Sequence, residues 1–147
     1  MSLRLNRREA LAAGVGAFAA GVGPARALND YADQIAKFTG GKMPVEGRVK
    51  LELPELAENG NTVPLSVAVD GPGRGEGVYV EEILVVAPAN PNARVIRFRF
   101  SSMSIPEAST RVRLAETQDV IAVARLSDGT FFSASRQIKV TIGGCGG

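Results

Sequence analysis

The stretch Asp119-Val120-Ile121-Ala122-Val123-Ala124-Arg125-Leu126, Ser127-Asp128-Gly129-Thr130, Phe131-Phe132-Ser133-Ala134-Ser135-Arg136-Gln137-Ile138-Lys139-Val140-Thr141-Ile142 decides how the rest of the chain is read. Two runs rich in β-branched and aromatic residues flank a tetrapeptide whose glycine accepts positive φ at little cost. The segment therefore predicts a hairpin joining 119–126 to 131–142. Working outward, Val49, Leu51 and Leu53 alternate with Lys50 and Glu52, and Val63, Leu65, Val67 and Val69 alternate with polar or small residues. Ile96, Phe98 and Phe100 alternate with Arg97 and Arg99, and Val112 and Leu114 with Arg111 and Arg113. A period of two marks half-buried strands. Val78 to Ala87 is more continuously apolar in its second half, as a central strand is. Gly71-Pro72-Gly73 and Pro88-Ala89-Asn90-Pro91-Asn92 are turn signals. About seven short strands without interleaved helices predict a mainly β fold, an immunoglobulin-like antiparallel sandwich, with a barrel as the alternative.

Ahead of the strands, Asn29 is placed to cap a short helix from Asp30 to Phe38, with Gly40-Gly41 to stop it. Tyr31, Ile35 and Phe38 share one face at spacings of four and three, a stripe that predicts packing on the sandwich or on a partner subunit.

The first 27 residues read as an address. Asn6-Arg7-Arg8-Glu9-Ala10-Leu11 is a twin-arginine signature, followed by an uncharged Ala/Gly-rich stretch from Ala12 to Gly23 and the small-x-small pattern in Pro24-Ala25-Arg26-Ala27. The apolar stretch is too short to span a bilayer. Cleavage after Ala27 leaves one domain of ordinary size, 28–142, with a tail at 143–147. Twin-arginine export predicts a protein folded before it crosses to the periplasm. Loss of Arg4, Arg7, Arg8, Arg26 and Glu9 takes the formal net charge from +2 to near neutrality. No Lys/Arg cluster remains to serve a nucleic acid, and no segment predicts residence in a membrane.

Catalytic chemistry is sparse. The chain has no histidine, so the usual imidazole base and the commonest metal ligand are both missing, and no metal site is expected. Glu81 and Glu82 fall on opposite faces of a regular strand. Gly71-Pro72-Gly73-Arg74-Gly75-Glu76-Gly77 lacks the following helix and the Lys-Ser/Thr of a phosphate loop. Arg97, Arg99, Arg111 and Arg113 read as a solvated strand face, with guidance of acidic partners or sulfonate groups as the alternative.

What remains is Gly143-Gly144-Cys145-Gly146-Gly147, which holds the single cysteine of the chain. Four glycines make the segment slender and expected to be mobile, so Gly143, Gly144, Gly146 and Gly147 are assigned to arm flexibility. Extended from Ile142, three links give a throw of roughly 10 Å. A thiol of ordinary pKa, about 8.5, is only a few per cent thiolate at neutral pH. Chemistry at Cys145 then needs electropositive surroundings that a partner's pocket supplies. The residues thus point to a carrier with no catalysis of its own.

This ending, Val140-Thr141-Ile142-Gly143-Gly144-Cys145-Gly146-Gly147, resembles the tail of the SoxY family, the sulfur-carrying subunits of bacterial thiosulfate oxidation. Asn90-Pro91-Asn92, Ser109-Thr110-Arg111-Val112-Arg113-Leu114-Ala115 and Val123-Ala124-Arg125-Leu126-Ser127-Asp128-Gly129 agree with it. The resemblance implies that Cys145 is the covalent attachment point for sulfur adducts of S-thiosulfonate and persulfide type, with no bound cofactor. It implies a heterodimer with SoxZ. It also implies transient visits to the SoxAX c-type cytochrome, which couples thiosulfate to the thiol, to the SoxB hydrolase, which releases sulfate, and to the SoxCD molybdenum–haem dehydrogenase where one is present.

Three rivals stand beside the carrier. An exported immunoglobulin-like binding module leaves Cys145 incidental. A ubiquitin-like activation carrier would use the Gly146-Gly147 carboxylate, against which export and an all-strand body argue. A domain joined by a Cys145–Cys145 disulfide is the outcome expected of an unpaired exported thiol.

Overall fold

The computed structural model describes residues 30–71 and 77–144. One helix, α1 (Tyr31–Thr39), precedes nine strands: β1 (Val45–Glu46), β2 (Val49–Glu52), β3 (Leu56–Asn59), β4 (Val63–Val69), β5 (Val80–Val86), β6 (Arg94–Arg99), β7 (Glu107–Val112), β8 (Gln118–Leu126) and β9 (Phe131–Ile142). The larger sheet runs β1-β9-β8-β5-β6, with β3 also on β9, and the smaller runs β2-β4-β7. The fold is the expected immunoglobulin-like sandwich.

The hairpin joining β8 to β9 forms as expected. Leu126 N donates to Thr130 O at 2.9 Å and Gly129 N to Leu126 O at 3.0 Å, with Gly129 at φ 82°. Asp128 Oδ1 accepts from both the amide and the hydroxyl of Thr130, at 2.9 and 2.7 Å. These bonds hold its carboxyl below the ordinary carboxylate value, the hydroxyl contributing most. Register then pairs Arg125 with Phe131 and runs on to Gln118 with Ile138.

Alternation along β5 and β8 fills two cores. Ile83 and Val85, with Val120, Ala122 and Ala124, face Val49, Leu51, Val63, Leu65 and Val67 of the smaller sheet. Leu84, Val86 and Val123 face the other way, onto Phe38 and Phe131. The second set explains the continuous apolar run, because α1 covers the far face of the larger sheet and both sides of β5 are dry. Each such side chain contributes about 1.5–3 kcal/mol when fully buried.

The helix stripe is partly borne out. Phe38 is buried, its ring edge-on to Phe131 at 6.0 Å, and Ile35 packs beside it, while Tyr31 is exposed. The helix opens after Asp30 rather than Asn29, which lies outside the described residues. Asp30 makes no side-chain cap and instead accepts from Gln34 Nε2 at 2.7 Å. Gly40 closes the helix at φ 64°.

Three expectations are corrected. The two shortest additional strands, β1 and β3, both pair parallel with β9. Lys139 N donates to Glu55 O at 3.0 Å whereas Val140 N donates to Thr117 Oγ1 at 2.9 Å, so β3 occupies the edge of β9 away from β8. The strand around Arg111 ends at Val112, and Leu114 is buried beyond it. Glu81 and Glu82 also do not point apart. The β5–β8 register shifts between Val80 and Glu82, and this bulge turns both carboxylates to Arg125: Glu81 Oε2 lies 3.0 Å from its Nε and Glu82 Oε2 lies 3.3 Å from its Nη2. Glu82 Oε1 also takes Arg99 Nε at 2.7 Å. Arg97 and Arg125 both lie over the Phe38 ring, so two of the four strand arginines, Arg97 and Arg99, are engaged within the domain.

Candidate functional site

At the end of β9 the backbone continues past Ile142 between two other segments, the β3–β4 turn at Gly60 and the segment after β7 at Leu114 and Ala115. Three main-chain bonds fasten the crossing. Gly60 N donates to Ile142 O at 2.7 Å, Leu114 N to Gly60 O at 2.8 Å, and Gly144 N to Leu114 O at 2.9 Å. A Cβ on Gly60 would sit 2.2 Å from Leu114 O and 2.7 Å from Gly144 N, and one on Gly143 would sit 2.0 Å from Ala115 O. Gly144 itself is buried. Glycine is thus required here for the close approach of three backbones. Gly143 and Gly144 are thus seated against residues 60, 114 and 115: Gly144 N is bonded to Leu114 O, and Ala115 O leaves no room for a side chain at Gly143.

The segment they dock on is itself braced. Asn90 Nδ2 donates to Arg113 O at 2.8 Å, and Asn90 Oδ1 accepts from Ala115 N at 2.9 Å and from Gln118 Nε2 at 3.1 Å. The buried Gln118 accepts from Ala89 N through Oε1 at 2.8 Å and also donates to Glu116 O at 3.1 Å. Asn92 Oδ1 accepts from Arg94 N at 3.2 Å. The turn Asn90-Pro91-Asn92 is therefore a bracket that sets the height of residues 113–115 under the end of β9. Gly60, Asn90 and Gln118 were not singled out as site residues by the sequence. A glutamine at the start of an otherwise apolar strand was the available signal, since a buried amide needs designated partners.

Beside Gly144 lies a groove of about 290 Å³ between the start of β6 and the end of β7, whose lining includes Asn92, Arg94, Ile96, Arg111, Arg113 and Gly144. Two of the three internal stretches that carry the family resemblance meet the tail at this end of the sandwich. The third forms the hairpin that begins β9. Cys145, Gly146 and Gly147, together with Arg7 and Arg8, lie outside the described residues. Among the described residues no cluster of His, Cys, Asp and Glu could hold a metal ion, and no helix is long and apolar enough to cross a membrane.

A family model described as sulfur oxidation protein SoxY matches residues 35–145. Among solved structures, the chain is similar to the sulfur carrier protein SoxY from Chlorobium limicola f thiosulfatophilum, with 34% identity and a TM-score of 0.62 over 76% of this chain and 96% of that one. It shares its fold with a superoxide reductase (neelaredoxin) variant from Ignicoccus hospitalis, at 19% identity and TM-score 0.55 over 63% of this chain and 78% of that one. A putative superoxide reductase from Thermotoga maritima stands similarly, at 18% and 0.56 over 70% and 89%. These two likenesses concern architecture alone. No curated protein matches the chain. With its two packed sheets, its bracketed β9 terminus and a family match that runs through to Cys145, the chain belongs to the SoxY family of sulfur oxidation proteins.

Proposed function

We propose that the protein is a sulfur-substrate carrier of periplasmic thiosulfate oxidation, holding sulfur intermediates covalently on Cys145 and presenting them to partner enzymes. The observation that carries this reading is the fastened crossing at Gly143 and Gly144, which supports a sole thiol set one residue beyond a fixed point on a rigid sheet. The solved relative described as a sulfur carrier protein supports it as well. In the loading step the Cys145 thiol loses its proton and its sulfur bonds to the sulfane sulfur of thiosulfate, while an electron pair leaves to the cytochrome partner SoxAX. Hydrolysis by SoxB then breaks the bond to the terminal sulfonate, water supplying the fourth oxygen of sulfate and leaving a persulfide. SoxCD, where present, oxidises that sulfur. Gly146 and Gly147 keep the carrier narrow enough to enter unlike active sites. SoxZ pairs with the domain, and Arg7 and Arg8 direct export by the twin-arginine route.

The test is Cys145→Ser in the reconstituted partner mixture. Thiosulfate-dependent electron transfer should vanish with SoxZ pairing and unfolding midpoint unchanged, and peptide mass from thiosulfate-grown cells should show adducts on residue 145. Turnover by the serine variant would overturn the carrier reading.

A further inference from the structure

Arg94, Arg111 and Arg113 line the groove beside Gly144, and no Asp or Glu lines it. Their environment differs from that of the other strand arginines. Arg99 and Arg125 are held by Glu82 and Glu81, and Arg97 stacks on Phe38. Arg94, Arg111 and Arg113 take part in none of the ion pairs among the described residues. Three arginines lining one concave surface gather like charge there with no carboxylate to offset it, and their planar donor forks suit an oxo-anion. The neighbouring amide oxygens are committed, Asn90 Oδ1 to Ala115 N and Gln118 Nε2 and Asn92 Oδ1 to Arg94 N, so what the groove has left to offer a ligand is cationic and N–H donors.

We propose that this groove is an oxo-sulfur anion site in which the sulfonate end of the cargo on Cys145 rests between visits to partner enzymes. The geometry follows from covalent lengths. Gly144 lines the groove, the next Cα lies about 3.8 Å further on, and a side chain lengthened by two S–S bonds of about 2.05 Å reaches roughly 5 Å beyond it. A sulfonate carried there starts from a residue whose neighbour, Gly144, lines the same groove as Arg94, Arg111 and Arg113. A persulfide, which lacks the sulfonate oxygens, has no such claim on the arginines, so hydrolytic loss of sulfate releases the tail from its rest position. The inference rests on the carrier reading, but the groove itself is testable without a thiol.

The experiment uses intact Cys145→Ser protein with any partner it retains, and radiolabelled thiosulfate in equilibrium dialysis at fixed ionic strength. Saturable binding is expected, weakened about tenfold or more by R94Q/R111Q/R113Q, since exposed charge pairs each contribute up to about 1 kcal/mol. The matching Lys triple should restore part of it, and R97Q/R99Q should leave it unchanged. A second arm uses protein with Cys145 intact. Loading with tetrathionate places a thiosulfonate on Cys145 and releases thiosulfate, and alkylation with iodoacetamide places a neutral cap. The loaded protein should no longer bind free thiosulfate, whereas the capped protein should bind it as the serine variant does. Unaltered affinity in the Gln triple overturns the groove as an anion site. Equal binding by loaded and capped protein overturns it as the resting place of the cargo. Neither result touches the carrier reading, which stands or falls on adducts and turnover.

Discussion

Gly60→Ala is the sharpest perturbation of the crossing at the end of β9. Its new Cβ would lie 2.2 Å from Leu114 O, 2.7 Å from Gly144 N and 3.0 Å from Val140 Cγ1. Ordinary contact begins near 3.4 Å, so the backbone at residue 60 must retreat by about 1.2 Å from a carbonyl that cannot rotate away. Gly60 has no positive φ, so the whole cost is steric and hydrogen-bonding. The retreat breaks Leu114 N to Gly60 O and Gly60 N to Ile142 O, and removes the support of Gly144 N to Leu114 O. At about 0.5–1.5 kcal/mol for each bond, the expected loss is about 2–4 kcal/mol.

Urea unfolding checks this. With a slope of about 1–3 kcal/mol/M, the midpoint should fall by about 1–2 M. Gly71→Ala is the control, because its Cβ meets only Val69 Cγ1 at 3.9 Å, and it should stay within about 0.5 kcal/mol of the parent. Gly143→Ala is the informative contrast. Its Cβ falls 2.0 Å from Ala115 O, but displacing residue 143 sacrifices chiefly the Gly144 bond, about 1 kcal/mol. It should therefore speed amide exchange at Gly144 far more than it lowers the midpoint. A Gly60→Ala midpoint within about 0.3 M of the parent, with Gly144 exchange unchanged, refutes the crossing as a stabilising contact.

Two further outcomes test the frame that holds the bracket. Phe38→Ala empties the second core and removes the ring under Arg97 and Arg125, and should cost about 3 kcal/mol by urea titration; a loss below about 1 kcal/mol would detach α1 from the fold's stability. Asp128 has a folded pKa below its ordinary value because Thr130 donates to it twice, so its contribution is present above the ordinary carboxylate range and is lost as pH falls through the lowered value. The stability difference between parent and Asp128→Asn should accordingly shrink on acidification below that range, and a difference independent of pH would contradict the assignment.

The sandwich was legible wherever local chemistry forces the outcome. Asp128-Gly129 makes a turn in isolation, and the alternation in Val63 to Val69 survives intact as a strand with one buried face. The helix was legible for the same reason, since Gly40-Gly41 stops it and Phe38 repeats the face of Ile35. What escaped depends on partners remote in sequence. β3 has one buried residue, Ala57, among exposed neighbours, and becomes a strand because β9 offers an edge to it. The bulge at Glu81 is a property of the β5–β8 pair, invisible in a period-two pattern, and it converted two carboxylates expected on opposite faces into one arginine clamp. The site divides similarly. The tail was legible as a glycine-cysteine pattern, but its seating on residues 60, 114 and 115 joins parts of the chain that share no motif.

Those contacts change what the glycines mean for a carrier. A tether free from Ile142 would give residue 145 a throw of roughly 10 Å, whereas an anchor at Gly144 leaves a single link of about 3.8 Å. On the carrier reading, docked and extended tails are then alternative states, and the bond from Gly144 N to Leu114 O stands between them. At about 1 kcal/mol that bond favours docking only about fivefold, a bias small enough for a partner's pocket to reverse and large enough for cargo charge to reinforce. Glycine serves both states for different reasons: close backbone approach when docked, narrowness when extended. A side chain at 143 would spoil the first without preventing the second, so Gly143→Ala should shift the balance toward the extended tail rather than disable it. Faster adduct exchange with solution thiols in that variant is the expected sign, and slower exchange would show that the docked crossing is not what limits access.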